Sequence, residues 1–321
     1  MDVDHHVLID HNVPAEDDTE LTAFEDRLQS SLPEGTVRVA SDYDDALDKI
    51  ATATVVISEY LPGEKLAAAE GLQWLQATSA GVDHYDLDEF RERDVAVTTA
   101  SGIHAEPIAE QVIGYMLHFE RGFDRAVRQQ ADSRWEQFRG GELAGKTVGI
   151  VGTGAIGQRV AELSGTFDMT AIGVRNDPTT TPDPIDEIFG PNELHTVLGR
   201  SDYVVLACPL TEETHHLLSI KELSSMKPTA VLINIARGAV VNEDHLVRAL
   251  QNRDIRGAAL DVTETEPLPA DSPLWDLSNT LVTPHMAGMT PQYLDRLGDL
   301  FVENYRRFLG DGAEDLKNRV C

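Results

Sequence analysis

At 321 residues the chain is long enough for two domains of ordinary size, with cores that bury roughly three quarters of the extended surface. Hydrophobic residues make up 41%, and Asp plus Glu number 55 against 26 Lys plus Arg, a formal net charge of −29. That sign opposes direct binding of nucleic acid or of an anionic membrane, where phosphate neutralisation supplies much of the affinity. The opening stretch MDVDHHVLID has no basic segment followed by an apolar one, so no secretory signal is expected, and no apolar run reaches the length of a membrane span. Two cysteines, Cys208 and Cys321, make no disulfide or metal pattern, and the expectation is a cytoplasmic protein. The bases comprise 6 lysines and 20 arginines, and the acids are spread along the whole chain. Such a field repels itself at ordinary salt, whereas at molar salt the Debye length is about 3 Å and the repulsion is screened. A salt-loaded, halophilic cytoplasm is therefore expected, with a merely acidic mesophilic protein as the other reading.

In chain order, VLID (7–10), VRVA (37–40), VVIS (55–58), LQWLQAT (72–78) and VAVTTA (95–100) read as buried parallel strands. Segments 20–31, 43–51 and 63–70 between them have the lengths of crossover helices. One long helical pattern follows over 103–130. A second strand series comprises KTVGIVG (146–152), MTAIGV (169–174), YVVLACP (203–209), AVLINIA (230–236), GAALDV (257–262) and TLVTPH (280–285). Helices are expected over 155–166, 192–199, 219–226 and 242–252, with a last one over about 291–309. Two β-α series predict an α/β protein with two doubly wound parallel-sheet, Rossmann-like domains. The terminal helix has nothing left to pack on in its own series, so it is expected to return to the first domain and make that domain discontinuous.

The stretch VGIVGTGAIGQRV (148–160) places Gly152, Gly154 and Gly157 between an apolar strand and a helix. A dinucleotide site needs that context: a tight turn, a backbone open to the pyrophosphate, close helix-strand packing, and a helix N-terminus facing the phosphates. With Ala155 and Ile156 these residues are the expected cofactor loop. A ligand-free glycine turn is the alternative. An acid that would bind the adenosine ribose of NAD is expected about 20 residues further on. The sequence there is IGVRND (172–177), and Arg175 stands where the acid would be. Arg175 suits a 2′-phosphate through a charge-assisted contact, and Asn176 adds a donor. NADP(H) is therefore expected over NAD(H), with dual use open. Two readings compete with this one: Arg175 as a solvated loop residue, and Asp177 brought to the ribose by a shifted turn.

Three later stretches, LINIARGAVV (232–241), ALDVTETEPL (259–268) and VTPHMAG (282–288), each put a polar group at the C-terminal end of an apolar strand, the edge where ligands bind in open α/β sheets. Arg237 suits a carboxylate, Glu266 a histidine, and His285 a proton transfer near neutral pH. Taken singly, each reads as an ordinary loop or strand-end residue. Their joint placement on successive strands points to chemistry.

GTGAIG, ACPLTEETHHLL (207–218), NIARG (234–238), ALDVTETEP (259–267) and TPHMAG (283–288), in this order, resemble the D-isomer-specific 2-hydroxyacid dehydrogenases over almost the whole chain. The resemblance implies a dinucleotide-binding domain, placed at 100–287, inserted into a flavodoxin-like substrate domain of residues 1–99 and 288–321. It assigns Arg237 to the substrate carboxylate and carbonyl oxygen, His285 to general acid/base chemistry, and Glu266 to partnering His285. Asp261 matches the residue near the nicotinamide carboxamide, and Pro209 and Thr214 match the dinucleotide-lining loop. TSAGVDHYDL (78–87) resembles the substrate loop, which puts Ala80, Gly81 and Val82 at the site. The loop SEYLPG (58–63) is expected to form a side-chain pocket with Tyr60 and Leu61. Trp135 resembles a tryptophan that in some relatives reaches a neighbouring subunit, with an ordinary buried anchor as the other reading. A cleft that closes over substrate and a homodimer through the dinucleotide domain are also implied.

The activity so implied is reduction of a 2-keto acid to the D-2-hydroxy acid, without a metal. Glyoxylate or hydroxypyruvate reduction and phosphoglycerate oxidation stay open within the class. The absence of a long C-terminal extension argues against a phosphoglycerate enzyme with a regulatory domain. From another class, a dinucleotide-sensing corepressor keeps the same fold and site residues. The pairs His5–His6 and His215–His216 lack further ligands at metal spacing, and no metal is expected there.

Overall fold

The computed structural model describes residues 5–33, 36–82 and 85–321. Expectations that touch residues 1–4, 83 and 84 lie outside the described residues. The chain forms two α/β domains, each built on a wholly parallel sheet, and it divides into two compact units: Met1–His104 with Thr290–Cys321, and Ala105–Met289.

The first unit runs β1 (Val7–Ile9), α1 (Asp18–Ser31), β2 (Val37–Val39), α2 (Tyr43–Ile50), β3 (Val55–Ser58), α3 (Gly63–Ala68), β4 (Trp74–Ala77), α4 (Leu87–Glu92) and β5 (Ala96–Thr98). Its strand order is β2-β1-β3-β4-β5, so the direction of winding reverses between β1 and β3. The inner strands are buried on both faces, which is why they read as continuous apolar runs. Aspartates start α1 and α2: Asp17 accepts from the backbone N–H groups of Thr19 and Glu20, and Asp42 from that of Asp45.

The second unit continues with α5 (Ala105–Arg121), α6 (Phe123–Ala131), β6 (Thr147–Val151), α7 (Ala155–Gly165), β7 (Thr170–Val174), β8 (Glu187–Phe189), α8 (Leu194–Arg200), β9 (Tyr203–Leu206), α9 (Ile220–Ser225), β10 (Val231–Asn234), α10 (Glu243–Asn252), β11 (Gly257–Leu260) and β12 (Thr280–Val282). The order β12-β11-β10-β9-β6-β7-β8 reverses between β6 and β9, the crevice where doubly wound sheets bind ligands. The final helix, α11 (Tyr293–Asp311), returns to the first unit. Its Leu294, Leu297, Phe301, Tyr305 and Phe308 pack on Val7, Ile9, Phe24 and Trp74, with Phe301 stacked on the Trp74 indole at 5.0 Å.

Three elements differ from the sequence reading. The helical pattern over 103–130 is two helices, because Gly122 takes a left-handed conformation (φ 67°) that ends the hydrogen-bond ladder of α5 and starts α6. The amphipathic period continues across this break, so periodicity alone does not reveal it. Strand β8 and helix α4 were not expected: the one is a three-residue edge strand behind a Pro- and Asp-rich loop, the other a six-residue polar helix capped by Asp86. Both are too short to show a period.

Candidate functional site

The glycine loop joins β6 to α7. Gly152 sits at φ 97°, and a Cβ there would lie 2.6 Å from the Ala207 carbonyl oxygen, so only glycine lets the turn cross the end of β9. Gly157 meets the same turn, with its Cβ position 2.2 Å from the Gly152 oxygen. Gly154 is the opposite case: it begins α7, and nothing of the protein lies within 4 Å of its Cβ position. No side chain caps α7, which leaves the N-terminal turn over Ala155, Ile156 and Gly157 with its partial positive charge uncapped. Thr153 Oγ1 beside it is buried with no hydrogen-bond partner. An uncapped helix start, an open glycine and an orphan hydroxyl at the sheet's reversal point fit a pyrophosphate.

Arg175 follows β7 directly, and its backbone N–H donates to the Phe189 oxygen of the neighbouring edge strand at 3.1 Å. Asp177 turns back on its own loop, where Oδ1 accepts from Thr179 N at 3.1 Å and Thr179 Oγ1 at 2.6 Å. Those two bonds hold its carboxyl below the usual range, with a lesser pull from the Arg175 guanidinium. Asp177 is therefore engaged locally, and Asn176 is exposed. Beyond β9, Thr214 Oγ1 donates to the Pro209 carbonyl oxygen at 2.6 Å and also lies 2.7 Å from Thr211 N, closing the 209–214 loop on itself. Burial pushes the Cys208 thiol up to about 11, so it stays protonated and apolar at the strand end.

Arg237, Glu266 and His285 follow β10, β11 and β12, which are adjacent in the sheet. His285 Nδ1 lies 2.8 Å from Glu266 Oε2, and Glu266 Oε1 accepts from Thr263 N at 3.1 Å. The carboxylate thus orients the ring and leaves Nε2 outside that contact. His285 is the only one of these three with a left-handed backbone (φ 50°), a conformation that costs a non-glycine residue about 1 kcal/mol or more and that clusters at functional sites. Its side chain is half exposed. Arg237 is partly buried and donates to the Ala236 carbonyl oxygen at 2.8 Å. Next to it, a Cβ on Gly238 would fall 1.9 Å from the Thr263 carbonyl oxygen. Glycine there brings the Arg237 turn directly onto the loop that carries Glu266.

Several residues that the sequence did not single out hold this arrangement. Asn234, 1% exposed, uses its amide to close the 234–237 turn, accepting from Ala236 N and donating to the Arg237 carbonyl oxygen. Asp261 was assigned to the nicotinamide, and its carboxylate here binds the protein itself. Oδ1 accepts from Thr283 Oγ1 at 2.5 Å and Met286 N at 3.0 Å, and Oδ2 from Ala287 N at 2.9 Å. Tyr115 of α5 hydrogen-bonds Thr283 Oγ1 at 2.5 Å, which extends the support for the His285 loop to the helix behind the sheet. Thr283 lies in the TPH stretch and was within reach of motif reading. Tyr115 carries no signal, since an aromatic on the inner face of an amphipathic helix reads as core.

In the first unit, Ala80 is exposed and Gly81 and Val82 are half-buried; the Gly81 oxygen accepts from Ser79 Oγ at 2.7 Å. Tyr60 is 49% exposed, while Leu61 is 4% exposed and packs in the core with Leu66 and Phe90. Of the two residues expected to line a side-chain pocket, Tyr60 presents a surface and Leu61 anchors the loop from below. Among the described residues no cluster of three or more His, Cys, Asp and Glu is placed to hold a metal ion. The rings of His215 and His216 lie 4.0 Å apart, tilted by 33°, and His216 pairs with Glu264.

Fold and site together define a dinucleotide-binding α/β oxidoreductase. Residues 113–287 match the family model described as "D-isomer specific 2-hydroxyacid dehydrogenase, NAD binding domain". A glyoxylate reductase of Thermofilum pendens is 36% identical over 255 residues, 78% of this chain and 75% of that protein. A D-isomer specific 2-hydroxyacid dehydrogenase family protein of Aeromonas salmonicida superposes with a TM-score of 0.87 at 33% identity, covering 99% of each chain. A D-isomer specific 2-hydroxyacid dehydrogenase of Xanthobacter autotrophicus, solved with NADPH and MES, superposes at 0.82 with 28% identity over 99% of this chain and 98% of that one. The chain belongs to the D-isomer specific 2-hydroxyacid dehydrogenase family. No helix among the described residues is long and apolar enough to cross a membrane.

Proposed function

We propose that this chain reduces a 2-keto acid to the D-2-hydroxy acid, reversibly, with NADP(H) preferred over NAD(H). The observation that carries the reading is the His285–Glu266 pair at 2.8 Å, with Glu266, His285 and Arg237 following three consecutive strands of one sheet. Arg237 binds the substrate carboxylate and carbonyl oxygen and stabilises the negative charge that develops on that oxygen. His285, protonated and oriented by Glu266, gives its proton from Nε2 to the carbonyl oxygen, and takes it back in the oxidising direction. When bound, the dinucleotide supplies or accepts the hydride. Gly152, Gly154, Ala155, Ile156 and Gly157 hold its pyrophosphate, Pro209 and Thr214 line its groove, and Asp261 serves it indirectly by fixing the loop around His285. From the first domain (residues 1–99 and 288–321, against 100–287 for the dinucleotide domain) the backbone of Ala80, Gly81 and Val82 receives the carboxylate, and Tyr60 over Leu61 shapes the side-chain pocket.

Glyoxylate and hydroxypyruvate are the first substrates to try, because the relative from Thermofilum pendens is a glyoxylate reductase. The preference for NADP(H) rests on Arg175 standing where an acid would bind the ribose, with Asp177 occupied by Thr179. We further propose a homodimer built through the dinucleotide domain. Trp135 (99% exposed), Phe123 (50%) and Val127 (63%), on α6 and the segment after it, are large apolar side chains that such an interface would cover. The proposed setting is a cytoplasm rich in salt, in keeping with the net charge of −29.

The cofactor assignment is tested by kcat/KM for NADPH and NADH in wild type and Arg175→Asp. Wild type is expected to favour NADPH, and the variant to lose at least about tenfold of that preference, the worth of one charge-assisted contact. Wild-type preference for NADH would reduce Arg175 to a loop residue. Tight dinucleotide binding with only trace turnover on every keto acid would move the protein to the corepressor-like class.

A further inference from the structure

The first unit contains a buried ion pair for which the proposed chemistry has no use. Asp10, directly after β1, and Lys65, in α3, are each 1% exposed, and Lys65 Nζ lies 2.7 and 2.9 Å from the two Asp10 carboxylate oxygens. The third neighbour of the ammonium is His11 Nδ1 at 3.1 Å, itself 2.7 Å from Asp10 Oδ1, and the Tyr43 ring lies 4.9 Å from Nζ. The lysine is enclosed, so it does not reach substrate. Nor does stability explain it, since a well-packed apolar pair of the same volume is generally as stable as a buried ion pair or more so.

Its position suggests another role. Asp10 follows β1 and Lys65 lies in α3, just after the loop that joins β3 to α3, so the pair sits by that loop at the C-terminal edge where the sheet reverses between β1 and β3. Ser58 Oγ donates to Asp10 Oδ2 at 2.8 Å and also lies 2.9 Å from both the Asn12 side-chain oxygen and the Tyr60 carbonyl. Asn12 takes Glu59 N at 3.1 Å and donates to the Tyr60 carbonyl at 2.6 Å. Tyr85 donates its hydroxyl to the Glu59 carbonyl at 2.7 Å. The loop backbone is thus pinned from Ser58 to Tyr60, Leu61 is sunk in the core, and the Tyr60 ring is left half-exposed beside the exposed Glu59.

We propose that the Asp10–Lys65 pair is a positioning device: through Ser58 and Asn12 it fixes the 58–61 loop and thereby sets which keto-acid side chains the Tyr60 surface admits. The selectivity part rests on the reading of the protein as a keto-acid reductase; the clamping part does not. Lys65→Met leaves a buried carboxylate unpaired and is expected to unfold more easily, so the decisive variant is the double Asp10→Asn/Lys65→Met, which keeps the volume without the charges. Two readouts are taken on it: kcat and KM for glyoxylate against 2-ketoisocaproate, and hydrogen exchange of the 58–61 backbone.

The double variant is expected to keep its melting temperature and its kcat on glyoxylate. The kcat/KM ratio between the two acids should shift about tenfold through KM, the scale of a lost pocket shape. Exchange at Glu59 should rise about tenfold as the loop opens locally. Unchanged exchange with an unchanged ratio overturns the proposal, as does an equal loss on both acids that tracks a lowered melting temperature, since that marks a purely structural pair. If wild type reduces no keto acid, the functional reading and the selectivity claim fall together, and exchange alone decides whether the pair clamps the loop.

Discussion

His285 shows how much of the proposed chemistry depends on single side chains held by their neighbours. Its left-handed backbone, the Glu266 carboxylate on Nδ1 and the Asp261 clamp on the residues after it leave the imidazole one productive orientation. A second histidine makes a prediction about pH. His104 is partly buried, its Nδ1 has no hydrogen-bond partner, and burial lowers its pKa from the ordinary 6.5; His5 and His118 move in the same direction for the same reason. A histidine whose folded pKa is lowered binds fewer protons folded than unfolded, so its contribution is complete above pH 6.5 and is lost as pH falls below it. The melting temperature is therefore expected to drop between pH 7.5 and 5.5, and less steeply in His104→Phe, which keeps the ring packed on Tyr293. An identical slope in the two proteins would remove His104 as a contributor. At this scale the sequence was legible in placement: Arg237, Glu266 and His285, singled out at strand ends, follow three consecutive strands, and Glu266 meets His285. It was silent on Asp10 and Lys65, since an Asp after a strand and a Lys in a short helix look like surface residues until the fold encloses them.

Among the elements, the β-α alternation was readable because the inner strands of a parallel sheet are buried on both faces and read as near-continuous apolar runs. What escaped was short or hidden by continuity: β8, α4 and the break at Gly122. The return of α11 to the first unit followed from counting, since a helix after the last strand of one series has to cover another surface. Phe301 carries the best test of that packing, being fully buried and stacked on Trp74. Phe301→Ala is expected to cost about 3–5 kcal/mol, measured by urea unfolding of the first unit's signal. A loss below about 1 kcal/mol would mean that α11 contributes little to that core.

For the whole molecule the governing quantity is the charge of −29. Mutual repulsion among carboxylates destabilises the compact state at low salt, and screening relieves it. The melting temperature is expected to rise from 0.1 M to about 2 M KCl, by about 2–4 °C for each kcal/mol of repulsion relieved. A flat or falling curve would defeat the high-salt assignment without touching the family. The central claim, that His285 is the proton donor of a 2-keto acid reductase, is tested most directly by His285→Ala, with kcat on glyoxylate and hydroxypyruvate and dinucleotide affinity measured side by side in high KCl. A fall in kcat of about 10²–10⁴-fold with dinucleotide affinity kept is expected, the usual worth of a positioned acid. Equal loss of both, or turnover that survives the substitution, would contradict it.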